Sequence, residues 1–555
     1  MGMSDPGAID GGLVEILRAS LAQVAEEMRT TLIRTAFSPV IYEVLDFGIS
    51  VYDARFDLIA EAPGLTRFLG ANDFAVPTVM GHVGAANVGP GDVIVANYPY
   101  WTAAHVSDAC LIAPVFAPGR PRPFAWLCVR AHWIDLGAKD PGYVLDSTDM
   151  HQEGLVLPGL KLVKGGVLDE ELLALIRFNS RMPVPLTGDI HAQLAALQTG
   201  LRRMEALIAR HGADTLDRGI AALIAYGEAM AARALADLPE GAWSAEDWLD
   251  GDGIDDTPVP MKVTVTHESG RLTVDFEGSA PATRGPVNLP FGSTLATAKV
   301  AFKALTSPGE PSNAGHMRAL SVKAEPGTLF HAVYPAPTFT QWTGIVALEL
   351  IFAALAKGMP EKVQASSGGD VPGFMMIGTH PETGAGYALS NNESVGWGAT
   401  ARHDGRLAGS HLSQSIVRNT PIEVLETRTA MRVDRFELRP DSFGDGRHRG
   451  GPGVLRELSF TAPGEFLTIA KKTRTRPWAI AGGQEPEPTC FTYFPGTDRE
   501  RRAGTWRAPV QPGDRVRVET AGGAGYGDPA TRDAAAILRD EQDGLRRPRQ
   551  QETAR

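Results

Sequence analysis

The sequence predicts a multi-domain α+β protein in which mixed β-sheets are flanked by helices. Its length of 555 residues exceeds what one hydrophobic core usually holds, because a domain takes roughly 150 residues. Helical and strand-like hydrophobic patterns both occur along the chain. The 61 glycines and 40 prolines indicate many tight turns between these elements.

Residues 1–238 form the first predicted region. Apolar residues recur at three- and four-residue steps from Leu13 to Ala36, which predicts a helix, and Asp10 precedes it as a helix N-cap. Strands are predicted at 47–52, 93–96, 111–116 and 124–131. The last of these is apolar throughout, which is typical of a strand buried on both faces. Further helices are predicted at 169–178, 189–211 and 214–238. Asp189 is expected to cap the second of them, and 146–181 to be irregular outside the short helix.

Three more regions follow this first one. A Gly/Asp turn cluster opens the middle region, 239–365, and period-two alternation on both sides of Glu268–Gly270 predicts a β-hairpin there. Helices are predicted near 293–305 and 342–357. The third region, 366–535, is rich in short strand patterns and glycine turns. The polar, charged tail, 536–555, is expected to be disordered.

Composition excludes several function classes. A formal net charge of −12 without a basic block argues against nucleic-acid binding, which needs clustered lysine and arginine. The absence of an apolar run of about 18 residues argues against a membrane span, and the N-terminus lacks a secretory-signal pattern. Three cysteines, Cys110, Cys128 and Cys490, make no disulfide framework. We therefore expect a cytoplasmic protein.

The best candidate for chemistry is His105-x-x-Asp108 together with His132 and Asp46. Neutral imidazole and ionised carboxylate are suitable ligands for Zn, Mn or Fe. Each of the four residues lies at the edge of a predicted strand, where functional groups are usually found. Asp135, three residues after His132, is a candidate to hold a ligand imidazole in place. By spacing alone these residues fit turn capping as well as metal binding.

Nucleotide-binding and hydrolase motifs are absent. The sequence holds no G-x-x-x-x-G-K-[ST] phosphate loop and no G-x-S-x-G nucleophile elbow. The segment GGAGYGDP, 522–529, follows a predicted strand, but Pro529 and the charged residues after it do not open a helix at the loop. Phosphate binding at a helix N-terminus is therefore not indicated.

The sequence resembles the hydantoinase B/oxoprolinase family over nearly the whole chain, from about residue 12 to 535. This family includes B-type subunits of ATP-dependent N-methylhydantoinase and caprolactamase, part of 5-oxoprolinase, and subunits of acetone and acetophenone carboxylases. The matching stretches are 26–62, GPGDVIVANYPY (89–100), HVSDACLIAPVF (105–116), RAHWIDLGAKDPG (130–142), HQEGLVLPGLKL (151–162), 179–204, NTPIEVLE (419–426), DSFGDGRHRGGPGVLRE (441–457) and GGAGYGDP (522–529).

The resemblance implies a hydantoinase B-like fold and a divalent metal held by Asp46, His105, Asp108 and His132. Glu43 and Asp135 fall on acidic positions of the family, as candidates for proton transfer or for holding the ligands. The chain also departs from the family's common pattern: Tyr98 follows Asn97 where an aspartate is common, Trp133 replaces the second of two histidines, and a histidine is replaced around Arg67–Phe68. These departures leave the ligands intact and bear on the substrate.

The resemblance further implies a hetero-oligomeric enzyme. An A-type partner subunit would bind ATP and phosphorylate a cyclic-amide carbonyl, and this chain would carry the metal-dependent step of the hydrolysis. Two alternatives stay open: a subunit of an ATP- and bicarbonate-dependent carboxylase with a ketone substrate, and a non-catalytic scaffold for the A-type partner.

Overall fold

The computed structural model describes residues 10–414 and 416–547. These residues form helices and several β-sheets, which confirms the predicted α+β class. The chain divides into two compact units, Met1–Ala242 with Thr264–Gly344 and Trp243–Val263 with Ile345–Arg555. The predicted middle region, 239–365, is thus shared between the two units, and the first crossing lies four residues beyond the predicted boundary at 238.

The first unit is built on a seven-stranded sheet of order β2-β1-β5-β4-β3-β6-β7, in which neighbouring strands are antiparallel. Its strands are β1 (Phe47–Asp53), β2 (Leu58–Ala62), β3 (Val93–Ala96), β4 (Asp108–Phe116), β5 (Pro123–His132), β6 (Pro158–Lys164) and β7 (Val167–Leu168). β5 is buried along nearly its whole length, as its apolar sequence predicts. The irregular structure expected over 146–181 is wrong at β6, which pairs with β3. This strand begins with a proline and has a single fully buried residue, so its sequence lacks a clear strand pattern.

Seven α-helices of the described residues accompany this sheet. They are α1 (Gly11–Thr35), α2 (Pro39–Tyr42), α3 (Thr66–Val83), α4 (Pro99–Thr102), α5 (Glu170–Phe178), α6 (Pro183–His211) and α7 (Ala213–Ala236). Asp10 caps α1, as predicted, through its carboxylate and the Leu13 N–H. The predicted start of α6 at Asp189 is wrong, because the helix begins at Pro183. Asp189 instead accepts N–H groups of Phe37 and Ser38 from the loop after α1.

One helix of the described chain, α7, is long and apolar enough to cross a membrane by length and composition alone. Its buried side chains include Leu216, Ile220, Leu223 and Leu235. The helix packs against α1, and it carries charged residues such as Arg218 and Glu228. A core helix of a folded domain passes the same test.

The chain leaves the first unit along β8 (Gly241–Leu249) and returns along β9 (Val259–Glu268). β9 and β10 (Arg271–Asp275) form the predicted hairpin. β10 pairs in parallel with β11 (Leu320–Lys323), so strand directions are mixed in this sheet. α8 (Phe291–Thr306) connects them, and α9 (Trp342–Ala356) leads into the second unit.

The second unit holds two antiparallel sheets, of order β13-β12-β16-β19 and β14-β15-β20-β17-β18. Side chains from both sheets, among them Phe374, Phe466, Tyr493 and Val516, share one apolar cluster. Its elements are β12 (Gly373–Thr379), β13 (Gly386–Asn392), α10 (Ile422–Arg428), β14 (Met431–Leu438), β15 (Val454–Phe460), β16 (Gly464–Ile469), β17 (Cys490–Tyr493), β18 (Arg501–Arg502), β19 (Trp506–Val510), β20 (Arg515–Glu519) and α11 (Ala534–Gln542).

The glycine-rich segment 522–529 has a packing role in this unit. A Cβ atom at Gly523 would lie 1.8 Å from the carbonyl oxygen of Trp397, so only glycine allows the two backbones to approach this closely. Asp528 accepts the N–H of Ala530 and caps a short turn. The segment leads into the short turn Pro529–Thr531.

The expected disorder of 536–555 is wrong for its first part. Asp533 caps α11, and Asp540 of this helix is buried. The Asp540 carboxylate pairs with Arg449 and with Arg532, each at 2.7 Å. These two ion pairs hold a polar helix against the unit, whereas residues 548–555 lie outside the described residues.

Candidate metal centre

Two antiparallel strands bring three of the predicted ligands to one edge of the seven-stranded sheet. Asp108 is the first residue of β4 and His132 the last of β5, and the two are direct partners in the register of this pair. His105 lies three residues before β4 and follows the left-handed turn at Ala103. The start of one strand and the end of its antiparallel neighbour necessarily meet at the same edge.

The three side chains are buried and lie within ligand distance of each other. His132 Nδ1 is 3.0 Å from Asp108 Oδ1, and His105 Nε2 is 3.4 Å from Asp108 Oδ2. One nitrogen or oxygen atom from each residue lies within 4.8 Å of those of the other two. The exposed fraction is 6% or less for each. This spacing is compatible with three ligands to a single ion.

Asp46 reaches the same edge through β1. Phe47, the residue after it, pairs with Ala131 of β5, and the Asp46 carbonyl accepts the N–H of His132 at 3.2 Å. Its side-chain Oδ1 is buried and has no hydrogen-bond partner. The charges of His132 and Asp108 act on its carboxyl group. The fold thus places Asp46 at the same edge of the sheet as the cluster formed by the other three predicted ligands.

Burial and mutual charge set the protonation of these groups. Burial lowers the pKa of His105 to about 3, which leaves a neutral imidazole at pH 7. Burial raises the pKa of Asp46 to about 6. Burial alone would raise the pKa of Asp108, but His105 and His132 beside it hold it below its usual value. A neutral imidazole and ionised carboxylates are the forms that bind metals.

Unsatisfied polar atoms are a second feature of these residues that fits a divalent ion. Asp46 Oδ1, Asp108 Oδ2 and His105 Nδ1 are buried side-chain atoms without a hydrogen-bond partner. Such orphaned polar atoms are costly unless a ligand satisfies them. Two imidazoles and two carboxylates form a donor set suited to Zn, Mn or Fe.

An aromatic wall that the sequence did not predict covers the cluster. Phe339 stacks on His105 with ring centroids 4.8 Å apart, and Tyr143 lies parallel to His132 at 6.4 Å. Trp342 meets Tyr143 edge-on at 6.1 Å. The wall gives the centre an apolar side. No hydrophobic pattern in the sequence links residues this far apart in the chain.

Glu153 holds this wall in place. Its Oε1 accepts the N–H groups of Thr338 and Phe339, at 2.8 and 2.9 Å, and the Ser147 hydroxyl at 2.8 Å. The residue is fully buried. Burial raises the pKa of Glu153 to about 8 even against these donors. Its position in a 3-10 turn, Met150–Glu153, gave no sequence signal for this role.

Arg67 also lies beside the centre. It stands in the first turn of α3, and its Nη1 donates to the Gln341 carbonyl at 3.2 Å. Its Nε is buried without a hydrogen-bond partner. The Arg67 charge acts on Asp46, Asp108 and His105. In the sequence this position stood out only as a departure from the family pattern.

The two predicted acid–base residues lie near the ligands but make other contacts. The Asp135 carboxylate accepts the backbone N–H and the guanidinium of Arg181, the latter at 2.8 Å. This interaction anchors the loop after His132 to the residues before α6. Glu43 is half-buried at the end of α2, three residues before Asp46. Within the described residues no hydrogen bond joins either side chain to a ligand imidazole, so their roles stay predictions.

Comparison with known proteins decides the family. The sequence profile of the hydantoinase B/oxoprolinase family matches residues 10–529. The chain belongs to this family. It is 29% identical to the B-type subunit of a putative D-/L-hydantoinase from a Pseudomonas species, over 98% of this chain and 94% of that protein.

Solved structures agree with the family assignment. The crystal structure of the ATP-dependent caprolactamase from Pseudomonas jessenii superposes with a TM-score of 0.90 at 28% identity, over 97% of this chain and 94% of that one. The nucleotide-free acetone carboxylase structure superposes with a TM-score of 0.87 at 18% identity, over 97% and 78% of the two chains. The second likeness concerns the fold alone.

Proposed function

We propose that this hydantoinase B-type chain is the metal-dependent subunit of an ATP-dependent cyclic-amide hydrolase. An A-type partner would bind ATP and phosphorylate the carbonyl of a hydantoin, lactam or oxoproline-type ring. The observation that carries the proposal is the buried cluster of His105, Asp108 and His132, with orphaned polar atoms on His105, Asp108 and the adjacent Asp46. Two relatives, named as the B-type subunit of a hydantoinase and the beta subunit of caprolactamase, support the substrate class.

Asp46, His105, Asp108 and His132 would hold a divalent ion, Zn, Mn or Fe. Such an ion polarises a carbonyl and lowers the pKa of bound water toward ~7. His105, neutral because it is buried, keeps a nitrogen lone pair free for binding. Asp108 lies 3.0 Å from His132 Nδ1 and so fixes the orientation of that ring.

The residues around the ligands would position the substrate, support the ligands and transfer protons. The wall of Phe339, Tyr143 and Trp342 would seat the apolar part of a cyclic substrate and exclude water from it. Asp135, tied to Arg181, would hold the loop that carries His132. Glu43 would move a proton near Asp46, as its place three residues away allows.

The test is to purify the chain with its A-type partner and to measure ATP hydrolysis with hydantoin, caprolactam and 5-oxoproline, without bicarbonate. We expect ring-dependent ATP hydrolysis with ring opening, and about one equivalent of divalent metal in this chain. The Asp108→Ala/His132→Ala double variant should lose the metal and the ring opening. Asp217→Ala, which removes an exposed ion pair with Arg120, is the control and should keep both.

The alternatives predict different results in the same assay. Turnover that requires bicarbonate and a ketone would identify a carboxylase subunit. Full activity of the double variant would identify a scaffold and would refute the metal-dependent step.

A further inference from the structure

Arg67 is a cation beside the metal centre without an anionic partner. In the part of the chain that the structure describes, its guanidinium makes one hydrogen bond, the 3.2 Å contact of Nη1 with the Gln341 carbonyl. Its Nε is buried and unpaired. Within the described residues no carboxylate lies within 4.0 Å of it. The residue as a whole is half-buried, and a charged nitrogen shielded from water is costly unless a partner such as an anion satisfies it.

Three buried arginines of the described residues are paired with carboxylates. Arg449 pairs with Asp540, Arg456 with Glu393, and Arg532 with Asp404 and Asp540. Arg130, which also lies close to the centre, donates instead to Asn72 Oδ1 and the Thr102 carbonyl. Arg67 therefore differs from these residues in how little of its hydrogen-bonding capacity is used.

The charges of the centre point to the kind of ligand that is missing. Histidines that bind a metal are neutral, so in a loaded centre Asp46 and Asp108 would balance Arg67 and Arg130, whose charges act on the ligands. A divalent ion would leave the centre with two positive charges in a buried place. Such a charge is stable only with an anionic ligand.

A neighbouring residue presents a second polar group that is not satisfied. Gln341 has a left-handed backbone, with φ of 51°, which is uncommon for a residue other than glycine. Its Oε1 lies 3.2 Å from the Ser293 hydroxyl, and its Nε2 is buried without a partner. Strained residues with unsatisfied polar atoms are found at ligand sites more often than elsewhere.

We propose that Arg67, with the Gln341 amide beside it, binds an oxyanion of the substrate, a phosphoryl or carboxyl group, next to the metal. The planar guanidinium suits such groups because it donates two parallel hydrogen bonds to them. The proposal rests on the proposed function for its charge balance. It adds a specificity residue that the four ligands do not supply.

The test measures binding of inorganic phosphate and of bicarbonate to the full-length protein by calorimetry, with and without bound zinc. Zinc binding is titrated first. We expect phosphate to bind the zinc-loaded protein, and Arg67→Met to weaken that binding at least about tenfold, since a charged hydrogen bond contributes about 1.5–3 kcal/mol. Arg67→Lys keeps the positive charge but cannot donate two parallel hydrogen bonds. Its phosphate affinity should therefore lie between those of the wild type and Arg67→Met. Arg120→Met, which removes an exposed ion pair with Asp214, is the control and should bind phosphate as tightly as the wild type.

The outcomes separate this proposal from the proposed function. Failure to bind zinc, manganese or ferrous iron refutes the metal site, and Arg67-dependent phosphate binding by the metal-free protein would still support the anion site. Zinc binding with phosphate and bicarbonate affinities that Arg67→Met leaves within about twofold would overturn the anion site alone, as would no binding of either anion. Arg67-dependent binding of bicarbonate but not phosphate would identify a carboxyl rather than a phosphoryl ligand. A cooperative urea unfolding transition like that of the wild type shows that the Arg67→Met variant is folded.

Discussion

Asp46 owes its place at the centre to its backbone. The residue before it, Leu45, is left-handed with φ of 67°, and the Asp46 carbonyl accepts the His132 N–H.

Asp46→Asn keeps the shape of the side chain and removes its charge. We expect zinc affinity to fall by more than about 100-fold, beyond the usual loss for a residue that only supports a ligand. Competition with a chelating dye measures this, with the exposed Asp214→Asn as control. Equal affinities would remove Asp46 from the ligand set.

The buried carboxyl group of Glu153 should make the stability of the folded protein depend on pH. Because burial raises its pKa from 4.5 to about 8, the folded protein keeps a proton that the unfolded chain releases. Its contribution to stability is full below about pH 4.5 and is lost as the pH rises toward 8, by up to ~1.4 kcal/mol per pH unit. Glu153→Gln keeps the acceptor for the Thr338 and Phe339 N–H groups but does not titrate.

Urea unfolding at pH 5.5, 6.5 and 7.5 checks this expectation. The unfolding midpoint of the wild type should fall relative to that of Glu153→Gln across the series. Glu153→Leu, which leaves both N–H groups without an acceptor, should be less stable than either at every pH. Parallel pH curves for wild type and Glu153→Gln would show that Glu153 is already ionised in the folded protein.

At the scale of elements, the sequence predicted features that depend on neighbouring residues, such as helix caps and strand ends. Asp46, Asp108 and His132 were candidate ligands because each lies at or beside the end of a strand. Their spacing alone left turn capping open, and the family resemblance is what favoured a metal site. Asp10 was found as a cap because it precedes an amphipathic helix. Asp189 has the same chemistry, but its partners lie on the loop after α1, and no local pattern shows this. Phe339 and Glu153 escaped prediction for the same reason, since their contacts join segments far apart in the chain.

α11 illustrates how a polar segment becomes ordered through two contacts. Asp540→Ala would leave Arg449 buried without its carboxylate, while Arg532 would keep Asp404. Breaking a buried ion pair from one side costs about 3–5 kcal/mol, and we expect the lower end of that range. Urea unfolding of the full chain measures it. Asp543→Ala, at the exposed end of the same helix, is the control, and equal losses for the two variants would argue against the ion pairs.

At the scale of the whole molecule, all four proposed ligands belong to the unit Met1–Ala242 with Thr264–Gly344. A ligand stabilises the state that binds it, by about 2.7 kcal/mol when present at 100 times its dissociation constant. We therefore expect zinc to slow amide hydrogen exchange in β1, β4, β5 and the Phe339 segment of the metal-free protein. Exchange in β15 and β20, which lie in the other unit, should change little. The Asp108→Ala/His132→Ala variant serves as control. Equal protection of both units, or protection that persists in this variant, would place the zinc elsewhere than at these four residues.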